Sequence, residues 1–160
     1  MMHTPNYDFD KDLPIAQKTE KQITEFLVSK GLEFIEDCDD NRYDVKMRFT
    51  QGDESKEVTI EIKEDFTCER TGNIGVEIES WGRPSGIATS KADFYLYKVH
   101  EPNGRKGIYM IKTSELKAMI KQRLWHREVI GGDPGSNSRN FLFRLEVVQK
   151  NFKYLGQLKN

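Results

Sequence analysis

An α/β domain with a central mixed β-sheet flanked by helices is the fold class that this sequence predicts, on three observations. Apolar residues recur at helical spacing from Ile15 to Leu27. Two charged segments between Tyr43 and Glu64 alternate in polarity with the period of a strand. Further alternating segments rich in Val, Ile and aromatic residues follow, punctuated by Gly, Pro and Asn turns. The expected sheet has about four or five strands. A chain of 160 residues is one domain by size and can bury a core without crosslinks.

Pro14 suits the first turn of a helix, and Ile15, Thr19, Ile23, Phe26, Leu27 and Lys30 continue it until Gly31. Leu32-Glu33-Phe34-Ile35 begins an extended segment, which the acidic turn Asp37-Cys38-Asp39-Asp40-Asn41 interrupts. Tyr43 to Phe49 and Glu57 to Glu64 read as an antiparallel hairpin joined through Gln51-Gly52-Asp53-Glu54-Ser55. Tyr43, Val45, Met47 and Phe49 form one apolar row and Val58, Ile60 and Ile62 another, leaving Asp44, Glu61 and Lys63 on the opposite faces.

Gly72-Asn73 marks a turn, and Ile74, Val76 and Ile78 alternate with Gly75, Glu77 and Glu79 in a strand that Trp81-Gly82-Arg83-Pro84 breaks. Ser85 is placed to cap a short helix over 86–92, and Asp93 to Val99 is a strand whose Phe94-Tyr95-Leu96-Tyr97 run reads as core. Pro102-Asn103-Gly104 turns the chain into a strand from Gly107 to Ile111. Thr113 or Ser114 then caps a helix expected to run through Trp125, followed by a loop over 131–138, a strand from Phe141 to Val148 and a short tail. On this reading Lys117, Lys121, Arg123 and Arg127 lie on the later helix, with Arg139 and Arg144 nearby.

Charge is high but balanced, 25 basic against 26 acidic residues, so it neither advertises nor excludes a nucleic-acid partner. Cys38 and Cys68 are far apart with no nearby His, which argues against a disulfide framework and against a zinc site. No stretch approaches the apolar length of a membrane span, and the first residues lack a basic start and apolar run. The expectation is a cytoplasmic protein with no membrane partner. Two carboxylates and an ammonium converging at one end of a sheet suit a hard divalent cation beside a phosphate.

The succession of helix, hairpin carrying Asp44 and then Glu61-Ile62-Lys63, short helix and further strand resembles the PD-(D/E)XK nuclease superfamily, over roughly Pro14 to Val99. Tyr43 stands where that pattern has proline, and Ile62 is its variable spacer. The resemblance implies a restriction-endonuclease-like core within 1–160, about 14–112, with a C-terminal helix and strand extension over 113–160. It implies a Mg²⁺- or Mn²⁺-dependent DNA endonuclease that hydrolyses phosphodiester bonds. Asp44, Glu61 and the carbonyl of Ile62 would hold the metal, with Glu77 extending the acidic cluster, Lys63 as the catalytic lysine and Glu20 as a supporting carboxylate. Arg83, Ser85 and Lys91, with Thr89 and Ser90, fall where accessory contacts to the DNA backbone are expected.

A small chain without a visible specificity module suits a phage-type or a repair and recombination nuclease, by analogy only. A homodimer is a reasonable expectation, since cutting both strands in one encounter commonly takes two sites. Two rivals stand beside this reading. One is a catalytically inactive nucleic-acid-binding or protein-interaction module on the same fold. The other is an unrelated α+β domain whose hairpin charges are an ordinary solvated face.

Overall fold

The computed structural model describes residues 9–38, 42–131 and 137–159, the side chains from Pro14 onward. The polar N-terminal arm, the tip of the acidic turn at 39–41 and most of the loop at 131–138 lie outside the described residues. Helix α1 spans Phe9–Ser29 and strand β1 Glu33–Asp37. The hairpin strands are β2, Val45–Gln51, and β3, Glu54–Asp65. A short helix α2 at Cys68–Thr71 leads into β4, Asn73–Ser80, and β5, Arg83–Pro84. After a single 3₁₀ turn at Gly86–Ala88 come β6, Phe94–His100, β7, Lys106–Lys112, and α3, Thr113–Lys121. Strand β8, Arg127–Ile130, strand β9, Ser138–Arg144, helix α4, Leu145–Asn151, and strand β10, Lys153–Gln157, complete the chain.

The α/β class holds, with two sheets. A mixed six-stranded sheet runs in the order β1-β2-β3-β6-β7-β10, and an antiparallel four-stranded sheet in the order β5-β4-β9-β8. Among the described residues the single parallel pair is β3 with β6, where Glu61 lies beside Tyr95 and Lys63 beside Tyr97. Such a pair requires a long crossover, and the segment from α2 through the 3₁₀ turn supplies it.

The six-stranded sheet buries both faces. On one, Ile23 and Leu27 of α1 pack on Val45, Met47, Val58, Ile60, Ile62 and Leu96. On the other, Tyr95, Tyr97, Val99, Tyr109 and Ile111 pack against Ile74, Val76 and Phe143 of the second sheet, Leu116 and Met119 of α3, and Val148 of α4. The unbroken apolar run in β6 reflects this two-sided burial. No described helix is long and apolar enough to cross a membrane.

Several boundaries depart from the sequence expectation. Helix α1 starts five residues before Pro14, which is therefore an interior position lacking one helical N–H rather than an N-terminal one. Ser85 does not cap a helix, since only the 3₁₀ turn follows and its hydroxyl goes elsewhere. Neither Thr113 nor Ser114 caps α3: Lys112 precedes its first turn, and makes no side-chain capping bond.

Helix α3 also stops well short of Trp125. Arg123 takes φ +58°, with Arg123 N–H donating to Ile120 O and Leu124 N–H to Met119 O, the Schellman pattern without its usual glycine. Arg127 is therefore on strand β8, apart from Lys117 and Lys121. The strand expected over Phe141–Val148 turns into α4 at Leu145, and the tail forms β10 against β7.

Candidate active site

Asp44 sits immediately before β2 and is held by three hydrogen bonds, two of them to β3. Its main-chain N–H donates to Ile60 O at 3.0 Å, its carbonyl accepts from Cys38 N–H, and its carboxylate Oδ2 accepts from Ile62 N–H at 2.6 Å. The pairing of Val45 with Ile60 fixes this register. Asp44 thus faces the strand bearing Glu61 and Lys63.

Two residues apart on one strand, Glu61 and Lys63 project from the same face, and Lys63 Nζ lies 3.7 Å from Glu61 Oε2. Burial pushes the Glu61 carboxyl up to about 7, against the pull of Lys63 and with the help of the Asp44 charge and hydrogen bond. Glu20 on α1 is likewise pushed up to about 7 by burial and by Asp44. Asp44 is the common neighbour of both carboxyls, and their protons relieve the repulsion among three acids.

Glu20 is set in place by its neighbours on the helix. Thr19 Oγ1 donates to the Glu64 carboxylate of β3, and Gln22 Oε1 accepts from Lys98 Nζ of β6 at 3.1 Å. Glu64 also receives Lys98 Nζ at 3.1 Å and His100 Nε2 at 2.7 Å. Burial raises the Glu64 pKa, but these three hydrogen bonds outweigh it and the net shift is downward. The network ties α1 to the sheet at the level of Glu20.

Asp44, Glu61 and Lys63 line a cavity of about 320 Å³ between the two sheets, with Glu77, Ser85, Thr89, Ser90 and Tyr95 on its other walls. Glu77 of β4 accepts the Ser85 hydroxyl at 2.9 Å. Gly86 lets these walls approach: at φ +54°, a Cβ there would lie 2.2 Å from the Glu77 carbonyl oxygen. Arg83 and Lys91 are exposed and stand outside the lining. Glu79 and Glu128 both bind Arg139, so that basic residue is already paired and not free for a phosphate backbone.

Tyr95 is the wall residue that the sequence reading assigned to the core. It is 1% exposed and lines the cavity, and its hydroxyl makes no hydrogen bond of good geometry among the described residues, with Ser90 the hydroxyl that acts on it. Burial, opposed by Ser90, pushes it up to about 12. The signal available was register: a residue parallel to Glu61 shares its face.

Asp44 and Glu61 bring hard carboxylate oxygens of the kind that suit Mg²⁺ or Mn²⁺ with several waters retained, while Ile62, between Glu61 and Lys63, is not among the residues that line the cavity. Among the described residues, no three His, Cys, Asp or Glu side chains are grouped so as to hold a metal ion alone. No family model, no curated protein and no solved structure matches the chain.

Proposed function

We propose that the protein is a Mg²⁺- or Mn²⁺-dependent nuclease of the PD-(D/E)XK type, on a restriction-endonuclease-like core, that hydrolyses DNA phosphodiester bonds. The observation that carries this reading is the convergence of Asp44, Glu61 and Lys63 in one polar cavity at the end of a mixed sheet. Accidental surface charges on a hairpin would have no reason to share a cleft with a further carboxylate, Glu77, from a second sheet and with hydroxyls from the connection that follows it.

Asp44, Glu61 and the Ile62 carbonyl would hold the metal, which supplies a Lewis acid for a phosphate oxygen and a bound water of lowered pKa. Glu61 must shed its proton to act as a ligand: burial first, and the Asp44 charge after it, favour the proton, and a divalent cation would favour its loss. Glu20 remains beside Asp44 as the supporting carboxyl. Lys63 at the cavity mouth donates to a phosphate oxygen and offsets the charge that builds as water attacks. Ser90 and Tyr95, the latter beside Glu61 on β6, bring hydroxyls into the cavity where a phosphodiester would be oriented, whereas Ser85 already donates to Glu77 and Thr89 to Gly86 O.

The test is incubation with supercoiled plasmid, single-stranded DNA, a four-way junction and RNA in Mg²⁺, Mn²⁺ or EDTA. Metal-dependent cutting of at least one DNA form supports the reading and names its substrate form. No cutting in any metal, with no heat of metal binding by calorimetry, would leave a binding module on this fold.

A further inference from the structure

Strands β4 and β5 are joined by a two-residue turn, Trp81-Gly82, with φ of +53° and +75°. Ser80 pairs with Arg83 and Glu79 with Pro84 across it. Positive φ at both central residues is the tight hairpin turn that favours Asn-Gly, because an L side chain is strained at the first position and Asn tolerates it best. Trp is a poor choice there on local grounds, and burial does not repay it: the side chain is 69% exposed. What holds the turn is its backbone, since Trp81 N–H donates to Asn137 O at 3.0 Å. Trp125, by contrast, stacks on Phe141 and donates its indole N–H to Ile120 O.

The strained Trp lies beside the catalytic cleft. Pro84 and Ser85, next along the chain, line the cavity that contains Asp44 and Glu61. Pro84 pairs with Glu79 two rungs back along the hairpin from the turn, so the indole's backbone stands roughly 7 Å from the cavity rim, a distance spanned by about one nucleotide. Between them, the Arg83 guanidinium is exposed and has no ion-pair partner among the described residues. An exposed flat indole next to a free cation is a stacking platform for a base whose phosphate the cation holds. Bases within a duplex are already stacked on both faces, so the platform can take only an unpaired one.

We infer that Trp81, with Arg83, forms a base-stacking subsite that directs single-stranded nucleic acid into the cleft. This inference rests on the nuclease reading and narrows its substrate to strands with unpaired bases. The test is anisotropy of a labelled oligothymidylate and of a labelled blunt duplex in EDTA, with wild type, Trp81→Asn and Trp81→Phe, each also assayed for Mn²⁺-dependent cleavage.

Trp81→Asn is expected to weaken oligothymidylate binding on the order of tenfold and leave duplex binding unchanged, with an unchanged or higher Tm because Asn suits the turn. Trp81→Phe should keep most of the affinity. Equal oligothymidylate affinity for wild type and Trp81→Asn, in a protein that cleaves, overturns the stacking subsite and leaves the nuclease reading standing. Neither binding nor cleavage by wild type overturns both.

Discussion

The Asp44 carboxylate and the Ile62 amide are joined by a hydrogen bond of 2.6 Å, so the acid is fastened to the backbone of the Glu61-Ile62-Lys63 strand itself. One carboxylate oxygen is occupied by this bond, leaving Oδ1 for a cation or for the carboxyls of Glu20 and Glu61. The spacing between the two would-be ligands is therefore set by main-chain pairing of β2 with β3, not by flexible side chains.

Asp44→Asn tests this arrangement. The amide oxygen can still accept from Ile62 N–H, so Tm should stay within about 4 °C of wild type. Cleavage should fall by more than about 100-fold, beyond the usual effect of losing a residue that merely supports a ligand. Equal cleavage by the variant would remove Asp44 from the site.

The carboxyls of Glu20 and Glu61 imply a particular pH dependence. Both have folded pKa values raised from 4.5 to about 7, so the folded state binds more protons than the unfolded chain between those values. Their contribution is fully present below about pH 4.5 and is lost as pH rises through 7. In EDTA, these two groups should lower Tm from pH 5 to pH 8, and Glu61→Gln should reduce that fall. Mg²⁺ should raise Tm more at pH 8 than at pH 5. Thermal melts across pH, with and without Mg²⁺, check both signs.

Tyr95→Phe removes a buried hydroxyl that makes no hydrogen bond of good geometry among the described residues. Leaving such a group unpaired costs about 1–3 kcal/mol, so the variant should be as stable as wild type or more so. If the hydroxyl serves the phosphate, kcat/KM falls about tenfold while Tm does not. A drop in Tm with unchanged activity would make Tyr95 a structural residue only.

Gly86→Ala should be damaging on both counts. The added Cβ would meet the Glu77 carbonyl at 2.2 Å and the residue would keep φ +54°, so the cleft wall must move. A loss of about 1–3 kcal/mol is expected in denaturant unfolding, with cleavage reduced beyond what the stability loss explains. Gly82→Ala, with nothing near its added Cβ, shares the positive φ and serves as the control for strain alone.

The elements that announce themselves by local pattern were legible in the sequence. The helix through Ile23 and Leu27, the hairpin bearing Asp44, Glu61 and Lys63, and strands β6 and β7 all follow from periodicity and turn residues. What stayed hidden depends on partners distant in the chain. Strand β4 leaves the main sheet to pair with β9, where Ile74 meets Phe143, a match that no local feature encodes. Arg123 ends α3 in a left-handed conformation that glycine usually marks, and the Val147-Val148 run that suggests a strand lies in α4. Of the site, Glu77, Ser85, Thr89 and Ser90 were legible beside Asp44, Glu61 and Lys63, whereas the bond from Ser85 to Glu77 and the Tyr95 hydroxyl turned into the cavity depend on contacts between strands distant in the chain.

The most direct test of this reading is nicking of supercoiled plasmid and of circular single-stranded DNA in Mn²⁺ by wild type and Lys63→Ala, with Mn²⁺ binding to both followed by calorimetry. Wild type should nick only when metal is present, and Lys63→Ala should bind Mn²⁺ but lose nicking by about 100-fold or more. Equal nicking by the two proteins, or a wild type that binds no metal and nicks nothing, would contradict it.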